Sequence, residues 1–346
     1  MTFRQLLGGL IGLPVLLVLG VVHVATGRTP PLAYQSLIRM FCLTRGWSND
    51  ALASMVRIFR RPATLPAPVG ILGQLTPARV DEVAQEIRDR GFCVFRDQMP
   101  AESVQRLVDF ALTTKCRVRP MAGRDAVPGE SEYRRYERSS PVAVRYDFDP
   151  EAVVNNPDVQ SLMADPSILS VAQAYLGSLP VADVTSMWWH TAFSDEPDED
   201  AAQLFHFDMD RIRWLKLFIY LTDVTTENGP HCFIEGSHRT GGIPSSLLSR
   251  GYARLSDEQV SRHYAAEKFV EFRAPAGTII LEDTRGLHKG MVVRNGDRLM
   301  LQIQFSNSLF GARYPSVHFQ SMIPELGKIV DVQPAIFKNY LNRRRA

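Results

Sequence analysis

Apolar and polar positions change rhythm along this chain, and the changes mark its elements. Leu6 to Val22 is wholly apolar (LLGGLIGLPVLLVLGVV), and no formal charge stands between Arg4 and Arg28. A run of about 20 such residues matches the hydrocarbon thickness of a bilayer. Gly8, Gly9, Gly12 and Pro14 are tolerated better in a membrane helix than in water. Three readings compete. The length favours a membrane anchor. A cleaved signal peptide meets its small-residue pattern only loosely at His23-Val24-Ala25. The third is a hydrophobic helix docked on its own domain. Beyond it, Asn49 to Arg61 has the spacing of a short amphipathic helix, with Met55, Ile58 and Phe59 set against Arg57, Arg60 and Arg61. It would lie either in a membrane interface or on the main domain. Arg61 to Gly70 (RPATLPAPVG) reads as a linker.

Helical spacing then takes over. Thr76 caps a helix to Arg90, Pro77 opens it, and Val80, Val83 and Ile87 form its apolar stripe, with Gly91 as the stop. Further helices are expected near Ala101–Thr113 and Pro166–Leu176, the latter ended by Gly177. After residue 180 the period shortens to two or to continuous apolar runs. Strands are expected at 92–96, 181–193, 214–224, 231–236, 268–274, 277–283, 289–295 and 298–308. Helices followed by many short strands predict an α+β fold, a double-stranded β-helix of jelly-roll or cupin-like type with flanking helices and an N-terminal hydrophobic helix. The expected organisation is a hydrophobic segment at 1–27, a basic, Pro-rich stretch at 28–70 and the main domain at 71–346.

Charge refines this picture. The net charge of +2 is unremarkable, but from Met1 to Arg79 eight arginines face a single acid, Asp50. That local +7 leaves −5 for the remainder. A basic leader beside an anionic surface fits better than a nucleic-acid-binding protein. Arg28, Arg39 and Arg45 follow the apolar run, so the positive-inside rule predicts a membrane-anchored protein with its domain facing the cytoplasm. Arg343, Arg344 and Arg345 read as a solvated tail. Cys42, Cys93, Cys116 and Cys232 are far apart without a C-x-x-C pair, which suggests reduced thiols.

The candidate chemistry lies at His206-Phe207-Asp208 and His288. Side chains at i and i+2 of an extended segment share a face, and a distant histidine can complete a two-histidine, one-carboxylate metal face with open positions. His-x-Asp alone is a weak signal. Its setting strengthens it: the strand after Asp208, the Glu227-Asn228-Gly229-Pro230 turn, Gly236-Ser237-His238-Arg239, the Pro275-Ala276-Gly277 turn before a strand, and Arg298 ten residues past His288. Lys216, Phe218 and Tyr220 share a strand face and are candidates to line a pocket. Trp188 and Trp189 must point to opposite faces. His231 and His238, beside turns, read first as structural. Ser194 to Asp200 is acidic and reads as a solvated loop or a gate, and Gly241 to Lys268 as an insertion able to form a lid.

These motifs, between about Leu75 and Leu309, resemble the phytanoyl-CoA dioxygenase family of 2-oxoglutarate-dependent oxygenases. The resemblance implies the double-stranded β-helix, Fe(II) at His206, Asp208 and His288, 2-oxoglutarate as cosubstrate with Arg298 on its distal carboxylate, and O2 as oxidant. A guanidinium grips a carboxylate through two parallel hydrogen bonds. Phe205 departs from the tryptophan many members carry before His-x-Asp. The expected activity is hydroxylation of a C–H bond in a small organic substrate, with the apolar leader favouring a lipid-like one. Two rivals are a catalytically silent β-barrel binding module at the membrane, and a zinc hydrolase, which would leave Arg298 without a role.

Overall fold

A computed structural model describes residues 3–119 and 133–341, without the side chains of residues 3–11, 13 and 17. The expected tail arginines 343–345 lie outside the described residues, as does part of the Leu6–Val22 run at side-chain level. Three helices open the chain, α1 (Phe3–Thr26), α2 (Pro31–Thr44) and α3 (Trp47–Phe59). A ribbon of β1 (Val69–Gly70) and β2 (Gly73–Gln74) leads to α4 (Pro77–Arg90), β3 (Phe92–Phe95) and α5 (Ala101–Thr113). Then come β4 (Cys116–Arg119), β5 (Tyr133–Arg134), β6 (Arg145–Phe148), and the helices α6 (Pro150–Val154), α7 (Pro157–Met163) and α8 (Pro166–Leu176). The strands β7 (Val181–Thr191), β8 (Trp214–Tyr220) and β9 (His231–Ile234) precede α9 (Ser245–Leu248) and α10 (Asp257–Ser261). Finally β10 (Phe269–Phe272), β11 (Ile279–Glu282), β12 (His288–Gly290) and β13 (Asp297–Ser306) are followed by α11 (Pro324–Val332) and α12 (Pro334–Phe337).

Local chemistry explains the helix ends. The Thr76 hydroxyl accepts a hydrogen bond from the Arg79 amide at 3.2 Å, and Asp165 caps α8 in the same way. Gly91 adopts φ +99°, and a Cβ there would lie 2.5 Å from the Phe233 ring. Both conformation and packing demand glycine.

An antiparallel sheet of eight strands runs β3-β11-β8-β13-β7-β6-β4-β5, and a three-stranded sheet runs β10-β9-β12. Strand alternation sorts the residues of β8. Leu215, Leu217 and Ile219 enter the main core beneath α4, α5 and α8, with Trp189, Leu281 and Leu301. Phe218 and Tyr220 point the other way and join Trp188, Ile280 and Met300 against Phe233 and Phe272 of the smaller sheet. The predicted mixed fold with a large antiparallel sheet is present, and the functional cavity opens between the two sheets. All four cysteines are free.

The N-terminal region corrects an expectation. Among the described residues no helix is long and apolar enough to cross a membrane. This overturns the expected membrane-anchored localisation with a cytoplasm-facing domain. Of the described side chains in the Leu6–Val22 run, Leu16 packs on protein, while Val18 and Val21 are exposed. Leu16, Leu37 and Phe41 share a buried cluster with Phe205, Phe207, Trp214 and Ile234. A Cβ at Gly12 would come within 3.0 Å of the Met40 sulfur, and Phe41 stacks on Phe207 with centroids 5.2 Å apart. Arg60, on the helix read as lying either in a membrane interface or on the domain, donates to the carbonyls of Leu179, Pro180 and Ala335. The proline-rich stretch is pinned as well, since the Gln173 amide bridges the Ala63 backbone.

Asp50 of α3 ties this region to the segment preceding His288. Its carboxylate accepts from Arg285 at 2.9 Å and from Arg213 and Thr240. Arg285 also pairs with Asp283, which accepts from Tyr175 of α8. Burial alone would raise the Asp50 pKa, but Arg285, Thr240 and Arg213 hold it down to about 2. A depressed carboxylate pKa stabilises the fold above the unfolded value and loses that contribution as pH falls through the folded value. Asp50→Asn is therefore expected to lower stability by about 1–2 kcal/mol at pH 7, discounted for partial exposure. In thermal unfolding the gap between variant and wild type should narrow below about pH 4 and close towards pH 2.

Candidate metal centre

His206 precedes β8 and His288 opens β12, and the backbone joins them directly. The His206 amide donates to the His288 carbonyl at 3.0 Å, and the His288 amide returns the bond at 2.8 Å. The Asp208 amide donates to the Thr284 carbonyl at 2.7 Å. Two segments 82 positions apart are thus held as one antiparallel pair, with His206 and Asp208 on one face.

One donor atom from each of His206, Asp208 and His288 lies within 4.8 Å of the others. Asp208 Oδ1 is 3.8 Å from His206 Nε2, and Oδ2 is 3.5 Å from His288 Nε2. Each imidazole Nδ1 faces a carbonyl two residues back, Leu204 at 2.9 Å and Gly286 at 3.0 Å. A carbonyl only accepts, so Nδ1 carries the proton and each Nε2 presents a lone pair to the centre. Burial, with repulsion between the two rings, holds the His206 pKa well below its usual value, and burial lowers His288 too. Burial would raise Asp208, but Lys216 and both imidazoles hold it well below the carboxylate range. Two neutral imidazoles and one ionised carboxylate suit a divalent metal ion.

Lys216 anchors the carboxylate from behind, 2.6 Å from Asp208 and 3.1 Å from Asp210. The cavity has a volume of about 440 Å³, within the roughly 300–1,000 Å³ of small-molecule sites. Lys216 and Phe218 line it as expected, whereas Tyr220 lies outside the lining and bonds to Phe272. His231, read first as structural, does reach the cavity, where Glu282 holds its Nε2 at 2.9 Å. His238 is structural, bonded to the Arg88 carbonyl at 3.0 Å. The acidic loop is not wholly solvated, because Asp198 is buried and its carboxylate accepts from the Asp200 amide. The 241–268 stretch contributes Arg254 to the cavity.

Arg298 also reaches this cavity, and only 1% of it is exposed. Its Nη2 donates to His190 Nδ1 at 2.7 Å. The opposite His190 nitrogen, Nε2, donates to the Ala201 carbonyl at 3.1 Å, which fixes the tautomer that can accept from Arg298. Arg298 Nε and Nη1 are buried without a partner, and burial pushes its pKa down to about 10. Gly290 makes room for it, since a Cβ there would sit 2.8 Å from Nη2. Sequence reading missed His190. Its alternation with Trp188 on β7 was the available signal: Trp188 faces the cavity and Trp189 the core.

The sequence profile of the phytanoyl-CoA dioxygenase (PhyH) family matches residues 87–299, more than half of the chain. The chain belongs to that family. It is a 2-oxoglutarate-dependent oxygenase that works with iron(II), 2-oxoglutarate and O2. Solved structures of similar shape include the non-heme alpha ketoglutarate dependent epimerase SnoN from nogalamycin biosynthesis, 15% identical over 67% of this chain and 84% of that one, TM-score 0.44. EctD from S. alaskensis is 21% identical, covering 75% and 87%, TM-score 0.45. HygX from Streptomyces hygroscopicus, with nickel and 2-oxoglutarate bound, is 15% identical, covering 71% and 92%, TM-score 0.45. No match was found among curated protein sequences. Family membership rests on the profile.

Removing one donor should disable this centre. Asp208→Ala is expected to weaken Fe(II) or Co(II) binding by at least about a hundredfold, beyond the 10–100-fold typical of losing an outer partner. Equilibrium dialysis with metal analysis measures it, and unchanged affinity would remove Asp208 from the donor set.

Proposed function

We propose that this dioxygenase hydroxylates a C–H bond of a small, polar organic substrate. His206, Asp208 and His288 hold the iron, and Arg298 binds the distal carboxylate of 2-oxoglutarate, between the faces of a double-stranded β-helix. The observation that carries this reading is Arg298 itself. A buried ion deprived of its partner costs about 3–5 kcal/mol, yet this guanidinium has no carboxylate among the described residues and leaves two nitrogens unpaired. An incoming dianion that also reaches the metal face resolves that deficit. A zinc hydrolase built on the same triad gives Arg298 nothing to do.

The bound iron supplies dioxygen activation coupled to oxidative decarboxylation of 2-oxoglutarate, with succinate and CO2 as products. The chain's own residues orient the components. His190 fixes the rotation of the Arg298 fork and keeps it cationic without neutralising it. Lys216 holds Asp208 ionised and aims its other oxygen at the centre. Phe218, Trp188 and Met300 form the apolar part of the wall and limit water. The carboxylate at 208 favours hydroxylation over halogenation, which needs that coordination position for a halide.

The lipid-like substrate expected from the leader loses its footing, because the lining contains five cations and three acids. A polar molecule suits these walls.

Arg298→Ala is expected to weaken 2-oxoglutarate by about 2–5 kcal/mol, from thirtyfold to several thousandfold. Anaerobic titration of the iron(II) protein, followed by its visible charge-transfer band, reads this. Succinate formation should vanish in Asp208→Ala, and full turnover in that variant would overturn the assignment.

A further inference from the structure

Five cationic side chains reach the cavity: Arg119, Arg145, Lys216, Arg254 and Arg298. Lys216 is neutralised by Asp208 and Asp210, and Arg298 belongs to the cosubstrate under the reading above. The remaining three guanidiniums have one carboxylate between them. Asp147 accepts from Arg119 at 3.0 Å and from Arg145 at 2.7 Å. Arg254 has no hydrogen bond or ion pair among the described residues, and its Nη1 is buried without a partner. Asp200, also on the lining, meets Arg119 through its backbone carbonyl while its own side chain is exposed. Two positive charges are left over.

Their placement is specific. Leu255, next to Arg254, pairs with Phe205 through two backbone hydrogen bonds of 3.0 and 2.8 Å, one residue before His206. This sets Arg254 beside the metal face, where its charge opposes protonation of His206. Arg145 lies over the Trp188 ring at 4.6 Å and also feels the charge of Arg254. On the large sheet, Arg145, His190 and Arg298 stand in register on three adjacent strands. Strands are spaced about 4.8 Å apart, so the backbones of Arg145 and Arg298 are separated by roughly 10 Å with His190 between them. The unpaired Arg254, together with Arg145 and Arg119 sharing the single carboxylate of Asp147, therefore forms a second anion locus, separate from the one at Arg298.

We propose that Arg254 and Arg145, assisted by the more exposed Arg119, bind an anionic group carried by the substrate, a carboxylate or a phosphate. The substrate class is then a small organic acid or phosphorylated molecule, presented with its anion on the guanidiniums and its reacting carbon at the metal face. This refines the oxygenase reading and rests on it for the word substrate. The anion site itself stands or falls separately. Two guanidinium forks, that of Arg254 with a buried unpartnered Nη1, match the oxygens of either anion in a way that lysine would not.

Calorimetric titration of the metal-free full-length protein with inorganic phosphate, and in a separate arm with propionate, tests this. At least one probe should bind saturably to the wild type and to Arg298→Ala with similar affinity. In Arg254→Ala that affinity should fall at least about tenfold, equivalent to 1.4 kcal/mol, and Arg254→Lys should lie between. Circular dichroism of each variant reports folding, and Arg145→Gln is the second variant should Arg254→Ala misfold. The proposal is overturned if neither probe saturates, if Arg254→Ala binds as wild type does, or if only Arg298→Ala loses the anion. A parallel titration with 2-oxoglutarate separates the two readings. An unchanged cosubstrate affinity in Arg298→Ala would sink the cosubstrate assignment and leave the anion site standing. Weakened 2-oxoglutarate binding in Arg254→Ala, with the simple anions unaffected, would give Arg254 to the cosubstrate and end the proposal.

Discussion

Two main-chain hydrogen bonds between His206 and His288 hold the site together. Through them, segments 82 positions apart in the chain present two imidazoles and a carboxylate to one point. Closing so long a loop has an entropic cost that grows slowly with length, and the structure offsets it with packing on both sides of the pair. Phe205 and Phe207 anchor one strand in the cluster that includes α1 and α2. Arg285 and Asp283, tied to α3 and α8, hold the approach to the other. Backbone pairing then sets the distance between the rings, and carbonyls at Leu204 and Gly286 set their tautomers. None of this depends on a metal being bound.

Electrostatics divide the cavity into regions. Around the triad, cations are fully matched by acids: the one lysine, Lys216, faces both Asp208 and Asp210. Along β13, β7 and β6 they are not. His190, locked by Ala201, separates Arg298, which has no carboxylate among the described residues, from Arg145, which shares Asp147 with Arg119. A site that took only neutral molecules would have no reason to keep this imbalance in a desolvated setting.

Much of this was legible in the sequence where signals are local. Thr76-Pro77 and Gly91, or Asp165-Pro166 and Gly177, mark helix ends within a few residues, and alternation along 181–193 and 214–224 located the central strands. The triad and Arg298 were reached through motif spacing. What escaped depends on contacts distant in sequence. The short strands β4, β5 and β6 gain definition only from their neighbours, and so Arg145 went unnoticed. Arg254 sits in a stretch without periodicity and reaches the cavity only because Leu255 pairs with Phe205. The N-terminal run misled for a physical reason: a helix apolar on several faces carries the same signal whether lipid or protein covers it.

The docking of α1, α2 and α3 has a practical consequence. A hydrophobic leader is usually the first thing removed when such a protein is prepared for study. Here its removal would strip the cover from Phe207 and Ile234 and take away Asp50, whose grip on Arg285 steadies the approach to His288. The trimmed protein would gain an adhesive apolar face while the strand that carries His288 lost a brace. Retaining these helices, and screening the surface with additives instead, preserves the scaffold on which the chemistry stands.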